Sequence, residues 1–202
     1  MDSRKYQIHL GARIQLQGII MKTWIGSDFH WGHKNIMNFC PETRARFRND
    51  VNYMNEAMVM EWNRRVEPED LVYLLGDVAF LPAQKAAEYM MRCNGTKILI
   101  EGNHDVKTLK DSTFRNCFKE IHKYHEIDYD GHKIVMFHYP ISEWNQMHRG
   151  ALHFHGHLHG GVSGLEKYRC MDVGMDSTGE IVVSMEDAIY QVKDNIVKGH
   201  HV

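Results

Sequence analysis

Lys97-Ile98-Leu99-Ile100-Glu101-Gly102-Asn103-His104-Asp105 is a short apolar run that ends in a glycine and three polar side chains. Ile98 to Ile100 reads as a buried strand. Gly102 lets the chain turn tightly, with no Cβ to clash. An amide, an imidazole and a carboxylate follow, at the kind of strand end where α/β sheets bind ligands. An Asn offers a metal a neutral oxygen, and a His beside it can move a proton. A strand-to-helix turn capped by Asn103 and Asp105 would use the same residues, so the neighbouring stretches decide.

Upstream, Trp24 to Ser27 is a strand that ends at Asp28-Phe29-His30. A loop follows with Trp31, His33 and the basic residues Arg44, Arg46 and Arg48. Asp50 or Asn52 opens a helix to about Arg65, whose Val51, Met54, Met58 and Trp62 fall on one face. Leu71 to Leu75 reads as a buried parallel strand ending at Gly76-Asp77. Pro82 starts a helix that Asn94-Gly95 terminates. Strands alternating with helices predict a parallel sheet with right-handed crossovers and a site along its carboxyl ends.

Downstream, Ile121–Tyr129 and Lys133–Phe137 flank Asp130-Gly131, a hairpin signal, and the second strand ends at His138. A loop from Trp144 to Arg149 leads into Leu152 to Gly161, which carries His153, His155, His157 and His159. Tyr168–Val173 and Ile181–Val183 read as strands, and Ser184 as the start of a helix to about Val192. No repeat or linker interrupts the chain, so 21–202 reads as one domain. Residues 1–20 read as an extension before Met21, or alternatively as an added edge strand at Tyr6–Leu10 or Ile14–Leu16.

The 202 residues suffice for one core, with 43% hydrophobic and 25% charged. A net charge of −2 gives no global case for nucleic acid or an anionic membrane, although local basic patches leave nucleic acid open. No apolar run reaches the length of a membrane span. Four scattered cysteines and the lack of a signal-peptide pattern point to a reducing, cytoplasmic setting. The outlying number is 15 His, more than a core needs, although His200 and His201 read as surface residues.

Five clusters carry ligands for hard or borderline divalent metals: Asp28-x-His30, Gly76-Asp77, Gly102-Asn103-His104-Asp105, His138, and Gly156-His157-x-His159. In extended backbone, residues two apart share a face, so each Asp-x-His or His-x-His pair can reach one site. The absence of Cys argues against structural zinc. Seven such groups could hold two metals if one carboxylate bridges, the arrangement that serves in-line displacement at phosphorus.

This ordered set resembles the calcineurin-like metallophosphoesterase superfamily, over residues 28–159, and its flanks resemble small bacterial and phage-type members. The resemblance implies a four-layer α/β/β/α sandwich of two mixed sheets. It implies Asp28, His30 and His159 on a first metal, Asn103, His138 and His157 on a second, and Asp77 bridging them. His104 would protonate the leaving oxygen or stabilise phosphoryl charge, and Asp105 would orient His104. The nucleophile would be a metal-bridging hydroxide. The metals would be two divalent ions, Mn²⁺ first, with Fe, Zn²⁺ or Ni²⁺ as alternatives. The expected function is hydrolysis of a phosphodiester, in preference to a phosphomonoester, with a small diester or nucleotide as substrate. The rival is a catalytically silent metal-binding scaffold of the same fold.

Outside the set, His33 and Arg149 are candidate substrate contacts. Arg44, Arg46 and Arg48 read more readily as a solvated loop face. Trp31 and Trp144 could stack on a base or simply pack. His153 and His155 could support the metal site or lie at the surface. Met54, Met58, Met60, Met90 and Met91 read as core filler.

Overall fold

The computed structural model describes residues 15–16 and 19–199. Its centre is a five-stranded sheet in the order Val183–Ser184, Thr23–Gly26, Leu71–Leu74, Thr96–Ile100, Glu120–His122. Four strands are parallel, and Val183–Ser184 runs antiparallel at the edge. The helices Val51–Asn63 and Ala83–Arg92 supply the crossovers. Asp50 caps the first by accepting the N–H groups of Asn52 and Tyr53.

Side-chain alternation sorts this sheet into two cores. Trp24, Val72, Leu74 and Leu99 face the helices, where Met54, Met58 and Trp62 are fully buried. Burying Met54 or Met58 contributes roughly 1.5–3 kcal/mol each. Ile25, Tyr73, Leu75, Ile98 and Ile100 face the other way, onto Ile134, Met136, Leu152 and Phe154 of a second sheet. Both faces of the parallel strands are thus covered, which explains their unbroken apolar sequences.

The second sheet runs Cys170–Asp172, Leu152–His155, His132–Phe137, Tyr124–Tyr129. It is mixed: the last two strands form the expected hairpin and the others pair in parallel. The helix Met185–Val192 closes the core between the sheets with Met185, Ala188, Ile189 and Val192. The outer face of the second sheet is covered by Trp144, Met147 and Ala151, from a loop with a single 3-10 turn. The architecture is the layered α/β sandwich of two mixed sheets, with its outermost layer reduced to that loop.

One predicted strand divides. Ile121–Tyr129 becomes Glu120–His122, paired with the first sheet, and Tyr124–Tyr129, paired with the second. The chain changes sheets at Lys123, a choice that depends on partners distant in sequence. Met60 and Met91 are exposed, at 57% and 66%, rather than core filler. The packed faces of their helices are already supplied by Met54, Met58 and Met90. Upstream, Gln15–Leu16 and Ile19–Ile20 pair with each other, antiparallel. The alternative strand at Tyr6–Leu10 and the pair His200 and His201 lie outside the described residues. Among the described residues, no helix is long and apolar enough to cross a membrane.

Candidate metal centre

The loops after Thr23–Gly26 and Leu71–Leu74 are laced together by their backbones. Asp28 N donates to Gly76 O at 3.1 Å, His30 N to Asp77 O at 3.1 Å and Trp31 N to Val78 O at 3.1 Å. The second sheet joins the same floor: Gly156 N donates to His138 O, and His157 N donates to Asp28 Oδ2 at 2.8 Å. Glycine makes this closeness possible. A Cβ on Gly156 would stand 2.0 Å from Ser27 Oγ and 2.4 Å from Asp28 Oδ2. One on Gly102 would stand 2.4 Å from both Asp77 N and Asp77 Oδ1.

Five of the candidate ligands have left-handed backbone: Asp28 at φ 57°, His30 at 54°, Asp77 at 53°, His157 at 75° and His159 at 49°. Each such residue costs of order 1–3 kcal/mol and persists only where the surroundings impose it. Strain gathered on five residues of one cluster is the pattern that functional sites show.

Among the described residues three donor sets result, of which Cys40, His159 and Asp176 form one at the edge of the cluster and the other two form its centre. Of the central two, Asp28, His30 and His159 form one, and Asp77, His138 and His157 the other, each with ligand atoms within 4.8 Å of one another. In the first, His30 Nε2 and His159 Nε2 are 3.1 Å apart, and each is 3.8 Å from Asp28 Oδ1. In the second, His138 Nε2 lies 3.0 Å from Asn103 Oδ1 and 3.6 Å from Asp77 Oδ1. Asp77 lies between the two sets, with its Oδ2 3.8 Å from His30 Nε2.

These groups fit divalent cations. Nitrogens about 2.0–2.1 Å from a tetrahedral ion are roughly 3.4 Å from one another, close to the spacings here. His138 Nδ1 donates to Leu75 O at 2.6 Å, and His159 Nδ1 donates to Asp176 Oδ2 at 2.8 Å. In the neutral rings, those bonds leave both Nε2 lone pairs turned into the site, as metal ligation requires. Asp28 Oδ1 is buried with no hydrogen-bond partner among the described residues, a cost that a bound cation removes. Mixed carboxylate, imidazole and amide donors suit borderline ions.

Burial raises the Asp28 carboxyl to about 6. It lowers the His30 imidazole to about 2, with the His159 charge adding to the effect. Burial also lowers His157. At His159 burial pulls downward as well, but the bond to Asp176 and the Asp28 charge outweigh it and the net shift is upward.

Asp105 lies beneath the two ligand loops. Its carboxylate accepts the backbone N–H groups of Asp77 at 2.8 Å, Val78 at 2.9 Å and Gly102 at 2.9 Å. Those three bonds tie the two ligand loops together, and among the described residues no hydrogen bond joins Asp105 to the His104 ring. His104 is instead located by its own N–H, which donates to Asp77 Oδ1 at 2.9 Å. Its ring is 43% exposed, with Nε2 3.8 Å from Asp77 Oδ2.

His33 sits at the rim, with its ring stacked on Phe80 at 4.2 Å. Arg149 is exposed on the 3-10 turn over the outer face of the second sheet, and among the described residues no contact joins it to the cluster. Trp31 and Trp144 are buried, so neither presents a face to a base. His153 and His155 are buried too, with His153 between Val135 O and Ile141 N and His155 Nδ1 donating to Gly156 O.

No family model matches the chain. A protein of the archaeon Methanocaldococcus jannaschii, the uncharacterized protein MJ1445, is 33% identical over 140 residues, 68% of this chain and 69% of that protein. This chain belongs to the same family as MJ1445. The Gene 66 protein of Mycobacterium phage L5 is 25% identical over 207 residues, 86% of this chain and 95% of the phage protein. Among solved structures, the protein of unknown function AQ665 from Aquifex aeolicus superposes with a TM-score of 0.64 at 26% identity. That match covers 85% of this chain and all of AQ665.

In this member of the MJ1445 family, two residues of the site escaped the sequence reading. Asp176 orients His159, and Arg44 holds Asp176 through Nε at 2.7 Å and Nη2 at 2.8 Å. Arg44 also donates to Phe29 O and Asp28 O. It is fully buried, not part of a solvated face. Burial works to raise the Asp176 carboxyl, but its bonds to His159 and Arg44 prevail and hold it well below the usual carboxylate range. Val173-Gly174-Met175-Asp176, an apolar strand end with a glycine and an acid, was the signal available. Arg44 gave none, since nothing local separates a buried guanidinium from an exposed one.

Proposed function

We propose that this chain is a dinuclear-metal-dependent phosphoesterase, and that phosphodiesters are its preferred class. The observation that carries the reading is Asp77, a buried carboxylate whose two oxygens face two separate donor sets. Divalent ions held there would polarise phosphoryl oxygens and supply a nucleophile from water near neutral pH.

The protein's own groups do the rest. Asp28, His30 and His159 would hold one ion, Asn103, His138 and His157 the other, and Asp77 both. Asp105 and the Arg44–Asp176 pair fix the loops, so the ligands need not reorganise when ions and substrate arrive. His104 stands beside Asp77 with an exposed ring, where it can give a proton to the departing ester oxygen. Mn²⁺ suits this oxygen- and nitrogen-rich donor set, with Fe, Zn²⁺ or Ni²⁺ as alternatives.

The test is hydrolysis of bis-p-nitrophenyl phosphate and p-nitrophenyl phosphate by metal-stripped protein refilled with Mn²⁺. Diester cleavage that needs metal and is lost in Asp77→Ala supports the proposal. Cleavage of the monoester alone would make it a phosphatase. Two bound ions with neither ester cleaved would favour a silent metal-binding scaffold, and failure to bind metal would sink the reading.

A further inference from the structure

Beside the first donor set lies a cavity of about 650 Å³, within the size range of small-molecule sites. Its walls are mainly apolar and aromatic: Ile36, Phe39, Phe80 and Leu158, with His33 and His104 at the edge towards the candidate ligands. Three neighbouring rings form a stepped shelf. His33 stacks on Phe80 at 4.2 Å and 28°, and Phe39 lies 6.0 Å from His33, tilted by 50°. Phe80 also contacts the His104 ring at 4.3 Å and the His30 ring at 5.1 Å.

The two phenylalanines are not core residues. Phe39 is 69% exposed and Phe80 38%. Both are large apolar rings left facing water, Phe80 5.1 Å from the buried His30 ring and Phe39 one ring further out, against His33. Lone exposed apolar residues are common on protein surfaces. An aromatic pair joined through a histidine and lining a cavity that opens on the ligand cluster is a built surface instead. Exposed rings of this kind bind planar partners by stacking, since each π-face can receive another. The shelf offers no charged group between Phe39 and Phe80, so the part of a ligand resting on it is uncharged.

We propose that the Phe39–His33–Phe80 shelf binds a planar aromatic group on one ester arm of the substrate while the phosphate lies over Asp77. The proposal rests on the phosphoesterase reading. It narrows the substrate to phosphate esters carrying a nucleobase or a simple aryl ring. Specificity then comes from the cavity rather than from the metals, which grip any phosphate alike.

Two measurements test it. The first does not require turnover: Mn²⁺-loaded protein is titrated calorimetrically with 2-phenylethylphosphonate and with hexylphosphonate. Their P–C bonds do not hydrolyse, and their arms differ in planarity. The phenyl compound is expected to bind about tenfold more tightly. That preference should fall towards parity in Phe80→Leu and in Phe39→Leu and survive in Phe80→Trp. Equal binding in the wild type, undetectable binding of the phenyl compound, or a preference that persists in both leucine variants would overturn the shelf.

The second measurement follows, by ³¹P NMR, cleavage of ethyl methyl phosphate, phenyl methyl phosphate and thymidine 5′-methyl phosphate, which carry no aromatic arm besides the one compared. A lower KM for thymidine than for phenyl identifies a nucleobase as the occupant, and the reverse order an aryl ring. An ethyl methyl ester with a KM as low as both others would contradict the proposal. Hydrolysis with no aromatic preference removes the shelf and keeps the enzyme. An aromatic preference in binding with none of the esters cleaved removes the enzyme and keeps the shelf.

Discussion

Asp176 Oδ2 accepts the Nδ1–H of His159 at 2.8 Å, and the same carboxylate receives the Arg44 guanidinium on both oxygens. A buried cation, a buried anion and a candidate metal ligand therefore form one line, and Arg44 continues it to the backbone of Asp28 and Phe29. The His159 ring and the Asp28–Phe29 backbone are thereby tied to one ion pair.

Asp176→Asn breaks that line electrostatically while keeping its shape. The expected result is a 10–100-fold weaker Mn²⁺ affinity, as for other groups that orient metal-bound imidazoles. Calorimetric titration of metal-stripped protein measures it. Unchanged affinity would mean that the His159 ring is set by packing alone.

Arg44→Met leaves Asp176 buried without its cation and frees two backbone carbonyls. Removing one partner of a buried pair costs about 3–5 kcal/mol. Urea unfolding at neutral pH should show a loss of that order. A loss below about 1 kcal/mol, the range of surface pairs, would show that the pair is not buried as described.

Gly156→Ala tests the close packing of the two sheets at the site. The added methyl group would meet Ser27 Oγ at 2.0 Å and Asp28 Oδ2 at 2.4 Å. Asp28 is expected to be displaced, with loss of metal binding and a stability cost of about 1–3 kcal/mol. Gly131→Ala is the control for the methyl group without the clash, because nothing lies within 4 Å there, although its φ of +78° adds strain of its own. Retained metal affinity in Gly156→Ala would show that the floor is pliable.

His104→Ala separates catalysis from metal binding. The ring is half out in solvent and belongs to neither donor set. Under the phosphoesterase reading, turnover should drop by about 10²–10⁴-fold while two Mn²⁺ ions stay bound and the melting temperature holds. Loss of metal in this variant would make His104 a ligand.

His153 predicts an acid-sensitive fold. Burial holds its imidazole down at about 3, with the His155 charge adding to the effect. The unfolded chain takes up that proton near pH 6.5. Above pH 6.5 neither state is protonated there, so the full stability is present. Between pH 6.5 and 3 only the unfolded state binds the proton. Stability then falls by up to about 1.4 kcal/mol per pH unit as the solution is acidified. His153→Gln, which keeps a polar side chain but does not titrate, should flatten the curve of unfolding free energy of metal-free protein against pH over that window. An identical slope would assign the acid sensitivity to other groups.

The strand ends were legible because their chemistry is local. Leu71 to Leu75 and Ile98 to Ile100 are apolar on both faces, and Gly76-Asp77 and Gly102-Asn103 follow where the chain must turn. The pairing of ligands two apart was also legible, but its stated reason was incomplete. Asp28, His30, His157 and His159 are not extended; all four are left-handed, and they converge because their loops bend. The division of Ile121–Tyr129 between two sheets was hidden, since the same alternating pattern serves either sheet.

The sequence by itself determined that polar metal-type residues end successive strands of an α/β sheet, because apolar runs and glycine turns act over a few residues. Only the tertiary structure decided that Asp105 braces the loops beneath Asp77 and that Arg44 and Asp176 stand behind His159. Those assignments depend on burial and on partners 17 to 132 residues distant. A carboxylate or guanidinium carries the same charge wherever it occurs. What it holds is set by which loops the fold brings within hydrogen-bonding reach.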